Sequence, residues 1–157
     1  MSWSGGKDGA LALALTRETT AVAGLHTTVL EDGEVAASYV PRALVEAQAA
    51  ALDLPLRTVE LPSPCPNDVY EERTRASWSE LRQRGATEVV YGDLYLADIR
   101  AFREQALAGT GGGVDPCGEN GEFHTLVTDG PGFAHPVPAP VTGTALRDGF
   151  VTAVLGT

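Results

Sequence analysis

Ser4-Gly5-Gly6-Lys7-Asp8 sets a hydroxyl, two glycines, an ammonium and a carboxylate directly ahead of an apolar run, Gly9-Ala10-Leu11-Ala12-Leu13-Ala14-Leu15. That run is rich in strong helix formers. Glycine lets a backbone turn sharply and approach an anion closely. A helix start adds unpaired amide donors and the positive end of the peptide dipole. Lys7 is the only lysine in the chain; every other cationic side chain is an arginine. Together these groups suit a polyphosphate, and the plain alternative is a glycine-rich turn capped by Asp8. The spacing is not that of the P-loop, which needs Gly, four residues and then Gly-Lys-Ser/Thr. A second group of reactive side chains lies far downstream: Glu119, Asn120, Glu122 and His124 fall within six positions. In an extended segment Asn120, Glu122 and His124 share one face. Such a trio can hold ammonia or a carboxyl group, or move a proton; the alternative is a polar turn bonded to its own backbone.

The elements that must position these groups follow from periodicity and breakers. Residues 9–19 read as helix and 21–29 as a buried strand rich in β-branched residues. Pro41 suits the first turn of a helix through Leu52, with Leu44, Val45, Gln48 and Leu52 near one face. Leu56 to Leu61 alternates as a strand does, and Pro62, Pro64 and Pro66 force a loop. Asn67 or Asp68 can cap a helix running to about Arg84. Glu88 to Tyr91 reads as a short strand ending at Gly92-Asp93, and Asp98 to Leu107 as a helix. Beyond a glycine-rich patch at 109–113, Thr125 to Thr128 reads as a strand and Gly130-Pro131-Gly132 as a turn. Val141 to Leu146 and Phe150 to Leu155 flank Arg147-Asp148-Gly149 as a hairpin.

Alternating helices and strands predict an α/β fold, an open parallel sheet with helices on both faces, followed by a small C-terminal β-rich part. The glycine patch divides the domain into an α/β region, 1–108, that carries the anion-suited loop, and a C-terminal region, 109–157, that carries the downstream polar motif and the β-hairpin. Ligands of such sheets sit beyond the carboxyl ends of the strands, which predicts Ser4 to Asp8, His26 and Gly92-Asp93 along one edge. A phosphate loop should follow a strand of about five residues, yet only Met1, Ser2 and Trp3 precede Ser4.

With 157 residues, 43% apolar and 20% charged, the chain reads as one globular domain. A net charge of −10 argues against a nucleic-acid surface, and no apolar run is long enough for a membrane span. Cys65 and Cys117 neither pair as Cys-x-x-Cys nor suffice for a disulfide framework, which predicts a cytoplasmic protein.

The first pentapeptide resembles the pyrophosphate-binding loop of the N-type ATP pyrophosphatases, Ser-Gly-Gly-x-Asp-Ser/Thr, with Gly9 where a hydroxyl is usual. Asp115-Pro116-Cys117-Gly118-Glu119-Asn120-Gly121-Glu122-Phe123-His124-Thr125, followed by Asp129-Gly130-Pro131, resembles the signature of the diphthine–ammonia ligase family. That family also carries a Gly-Asp after a central strand and a Gln-Ala helix, here Gly92-Asp93 and Gln48-Ala49. Its members have a longer segment where this chain has Ala108 to Gly113, and often a histidine near Ser38-Tyr39.

The resemblance implies an adenine nucleotide alpha hydrolase-like fold and ATP-dependent amide formation from a carboxylate and ammonia, releasing AMP and pyrophosphate. Ser4, Gly5, Gly6 and Lys7 would hold the pyrophosphate. Asp8 would either cap its helix or share a Mg²⁺, with the ion preferred; Asp93 would bind the same ion or the ribose. His26 could touch adenine, with a hydrogen-bonded structural role preferred. Glu119, Asn120, Glu122 and His124 would form the carboxylate or ammonia site, catalytic together with Lys7 and Asp8. The implied cofactors are ATP and Mg²⁺, and the partners ammonia and a carboxylate substrate, carried on a protein or free. Neither nucleic acid nor membrane is expected, and a homodimer stays open. Competing expectations are a nucleotide hydrolase without transfer and a degenerate nucleotide-binding module.

Overall fold

A computed structural model describes residues 1–92, 125–147 and 150–157. The elements in chain order are α1 (Lys7–Thr19), β1 (Leu25–Leu30), α2 (Arg42–Ala51), β2 (Leu56–Leu61), α3 (Asn67–Gln83), β3 (Val141–Arg147) and β4 (Phe150–Leu155). The architecture is mixed α/β: β1 and β2 form a parallel pair, and β3 and β4 an antiparallel one.

The alanine–leucine run forms α1, which begins at Lys7 after an extended Gly6 and buries Gly9, Ala12 and Leu13 on one face. This i, i+3, i+4 spacing is the inward stripe of an amphipathic helix. β1 starts at Leu25, later than the apolar pattern from Ala21 suggests. Its partner explains the delay. β2 begins at Leu56 in register with Leu25, and the preceding Pro55 has no N–H to extend the ladder. Its carbonyl is used, accepting from the Leu25 amide at 2.8 Å. α2 makes the crossover between the parallel strands and buries Leu44, Val45, Gln48, Ala49 and Ala51.

Residues 1–3 take the place beside β1. The His26 amide donates to Met1 O and the Trp3 amide to His26 O, both at 2.8 Å, which makes Ser2 and His26 a parallel bridge. The Ser2 amide in turn donates to Val90 O at 2.8 Å. Glu88 to Tyr91 is nonetheless not a strand, contrary to the expectation from its composition. Thr125 to Thr128 is likewise no strand, although the Val127 amide donates to Gly5 O at 2.8 Å. The regular parallel sheet among the described residues thus has two strands. The helix expected over Asp98 to Leu107 lies outside the described residues.

The core gathers Trp3, Leu13 from α1, Leu25 from β1, Leu44, Val45 and Ala49 from α2, and Val137. Successive strand side chains point to opposite faces, so His26 faces away from Leu25, toward α3. There its Nε2 lies 3.1 Å from Ser77 Oγ, and its ring stacks on Trp78 with centroids 3.8 Å apart. The C-terminal hairpin is tied back by Arg147, whose Nη2 donates to Glu34 Oε1 at 2.7 Å. The same guanidinium lies 5.2 Å over the Tyr39 ring. No helix among the described residues is long and apolar enough to cross a membrane.

His26 is 3% exposed. Burial, then the nearby terminal ammonium and Arg57, lower its pKa to about 3, against a small opposing effect of a backbone hydrogen bond. The unfolded chain binds this proton below about pH 6.5, whereas the folded chain stays neutral. Stability is therefore full above that pH and falls as acid is added, at about 1.4 kcal/mol per pH unit from this group, until the folded value is reached. Urea unfolding at pH 7.5, 6 and 5 should show that slope, and His26→Gln should reduce it. An unchanged slope in the variant would assign the acid loss to carboxylates instead.

Candidate functional site

The glycine loop joins the end of the Met1–Trp3 segment to the first turn of α1, and its shape is fixed from three sides. Gly5 has φ +84°, a left-handed conformation that glycine adopts without steric cost. A β-carbon there would stand 2.9 Å from Gln48 Oε1 and 3.2 Å from Leu126 Cδ1. Gly5 O accepts from the Val127 amide and from Gln48 Nε2, at 2.8 and 3.0 Å. Gln48 Nε2 also donates to Val127 O at 2.6 Å, and its Oε1 accepts from Trp3 Nε1 at 2.9 Å. Ser4 O accepts from Ser38 Oγ at 2.9 Å.

The third side is Thr125. Its Oγ1 accepts from the Lys7 amide at 3.0 Å across a separation of 118 residues. A β-carbon on Gly6 would meet Thr125 O at 3.2 Å. Thr125 closes the downstream signature and directly follows His124, so the fold brings that end of the signature against the first residue of α1. The first helical bond from the ladder is Ala10 N to Gly6 O at 3.1 Å. The Asp8 and Gly9 amides accordingly belong to the first turn, which has no intrahelical acceptor for them.

Lys7 Nζ and Asp8 Oδ1 pair at 3.0 Å, each side chain about one-third exposed (35% and 33%). Asp8 lies in the first turn, where a carboxylate is favoured by the helix dipole. Gly92 packs on the same turn: a β-carbon there would stand 2.7 Å from Gly9 N and 2.8 Å from Asp8 C. Gly9 faces inward, its missing β-carbon position 3.6 Å from the Trp3 ring. Among the described residues, no group of three or more His, Cys, Asp or Glu side chains could hold a metal ion.

Of the residues singled out in the sequence, Ser4, Gly5, Gly6, Lys7, Asp8 and Gly92 are brought together. His26 is not. It is the second residue of β1, at the amino end of that strand, and its side chain is buried against α3 rather than aligned with the loop. This is the hydrogen-bonded structural role; a place on the loop's edge is not observed, because the strand starts at Leu25 and puts His26 at its amino end. Asp93, Glu119, Asn120, Glu122 and His124 lie outside the described residues. Ser38, Thr125 and Trp3 emerge as neighbours of the loop without having been assigned to it. Gln48 had a signal: it is a polar residue on the otherwise apolar stripe of α2. A buried polar side chain needs a partner, and the loop supplies one.

Gly33 also has positive φ, but a β-carbon there would meet nothing within 4 Å. Gly5→Ala should therefore cost about 2–4 kcal/mol, against about 1–2 kcal/mol for Gly33→Ala, because only Gly5 adds overpacking to backbone strain. Chemical denaturation of both variants checks the difference, and equal losses would show that the Gln48 contact yields freely.

No protein-family model, curated protein or solved structure matches the chain.

Proposed function

We propose that this chain is an ATP-dependent amide ligase of the diphthine–ammonia ligase type, built on an open parallel sheet of the adenine nucleotide alpha hydrolase kind. The observation that carries the reading is the bond from the Lys7 amide to Thr125 Oγ1. It makes the last residue of the downstream signature a neighbour of the glycine loop. An amide ligase needs that proximity, because its nucleotide and its acyl acceptor must react with each other. The bonds of Met1 and Trp3 to His26 and of Ser2 to Val90 support a sheet order of β2, β1, residues 1–3 and residues 88–91. The loop would then leave the sheet from a central position.

The residues present suit a pyrophosphate. Gly5, Gly6 and Gly92 let the backbone pack closely around the first turn of α1. The Asp8 amide, Ser4 and Lys7 offer donors or positive charge. Magnesium usually takes one or two carboxylates and the phosphates of its substrate, so Asp8, with Asp93 as a candidate second ligand, fits it. Bound there, the ion would neutralise charge on the departing phosphates.

In the reaction a carboxylate oxygen of the acceptor bonds to the α-phosphorus of ATP, and the bond to the bridging oxygen of the β-phosphate breaks. Pyrophosphate leaves, carrying the electron pair, and an acyl-adenylate remains. Ammonia then bonds to the acyl carbon, AMP leaves, and a proton passes from nitrogen to a base. Lys7 and the loop amides stabilise the leaving pyrophosphate. Glu122 and His124 serve as the base, with Glu119 and Asn120 orienting the acceptor or ammonia. In-line displacement of this kind depends on positioning more than on covalent help.

Incubating the full chain with α-labelled ATP, Mg²⁺, ammonium and a pool of carboxylates should yield AMP and pyrophosphate, with an ammonium-dependent amide product. Lys7→Met should lower kcat/KM by on the order of 100-fold. ADP as the product would contradict the reading. AMP formation indifferent to ammonium and to carboxylate would make the chain a hydrolase.

A further inference from the structure

Two consecutive carbonyls in the loop are held by donors from elsewhere in the chain. Ser4 O accepts from Ser38 Oγ, and Gly5 O from Gln48 Nε2 and the Val127 amide. A trans peptide is planar, and its C=O and following N–H point in opposite directions. Holding Ser4 O on Ser38 Oγ therefore fixes the Gly5 N–H in the opposite direction, and holding Gly5 O does the same for the Gly6 N–H. A diglycine left to itself samples many peptide orientations. Here the choice is made by groups outside the loop.

Both donors are well fixed. Ser38 sits in a tight turn in which the Ser38 and Tyr39 amides donate to Val35 O at 3.1 and 2.8 Å, and the Val35 amide donates to Val40 O at 2.8 Å. Gln48 has no exposed surface. Its Oε1 is engaged by Trp3 Nε1, a donor only, so the network fixes which end of the carboxamide faces Gly5 O.

We propose that Ser38 and Gln48 are positioning residues for anion capture, orienting the Gly5 and Gly6 amides without touching the substrate. The inference rests on the reading of the loop as a pyrophosphate site. It adds that the affinity of that site is set by two side chains outside the glycine motif, because an amide already oriented loses less freedom on binding. Thr125 belongs to the same arrangement: by taking up the Lys7 amide it leaves the glycine and first-turn amides as the donors to be presented.

Calorimetric titration of the full chain with inorganic pyrophosphate and with Mg-ATP tests this. Ser38→Ala should weaken pyrophosphate binding about fivefold, the equivalent of one ordinary hydrogen bond, with little change in Tm. Ser38→Thr, which restores a hydroxyl, should recover the affinity. Gln48→Met, which fills the space but removes the amide donors, should weaken binding by at least about tenfold in protein that remains folded by circular dichroism. If Gln48→Met does not fold, the Ser38 pair decides. Wild-type protein that binds neither pyrophosphate nor ATP would remove the loop reading and this inference together. Wild-type binding matched by Ser38→Ala, or a loss that Ser38→Thr does not recover, would overturn this inference alone.

Discussion

The carboxamide of Gln48 joins three parts of the chain that are remote in sequence. It accepts from Trp3, donates to Gly5 in the loop, and donates to Val127 beyond the downstream signature. Its environment is otherwise apolar, with Val45, Ala49 and Trp3 in the same core. In such a place each unmade hydrogen bond costs about 1–3 kcal/mol, so the three partners are not interchangeable with solvent. The loop, the N-terminal segment and the chain around Val127 must arrive together for the amide to be satisfied. That requirement converts a flexible diglycine into a loop with one shape.

The same constraint explains how residues 1–3 hold their place beside β1. Its ladder to β1 amounts to one bridge, far too little for stability by hydrogen bonding alone. Trp3 compensates by burial: it is 2% exposed, and its indole N–H is spent on Gln48. A large aromatic with its polar atom satisfied brings its apolar area into the core without an orphaned donor. The loop that follows is thereby anchored at its start by packing and at its end by α1. Charge plays a local part only. A net charge of −10 is spread over a surface screened beyond about 8–10 Å, whereas the first turn of α1 carries its own donors and Lys7.

Much of the frame is legible in the residues themselves. α1, α2, β2 and α3 follow from helix-forming runs, strand alternation and the prolines that separate them, with boundaries shifted by a few residues. β1 is displaced because its start depends on Pro55, which is distant in sequence and supplies a carbonyl but no amide. Glu88 to Tyr91 and Thr125 to Thr128 have the composition of strands, and each finds a hydrogen bond, but neither forms a ladder among the described residues. His26 illustrates a different gap. An imidazole in a strand reads more readily as a bonded structural residue than as a ligand, and the face it occupies, against α3, is the structural one.

The sequence by itself determined the chemistry on offer: two glycines, a lone ammonium and a carboxylate at a helix start, and a downstream run of titratable groups ending at Thr125. Local composition suffices for this, because helix propensity, glycine freedom and side-chain chemistry act over neighbouring residues. Only the tertiary structure decided that Thr125 would meet Lys7, that Gln48 and Ser38 would hold the loop carbonyls, and that His26 would turn away from the loop. Those outcomes depend on hydrogen bonds between residues 34 to 118 positions apart, which no local pattern encodes.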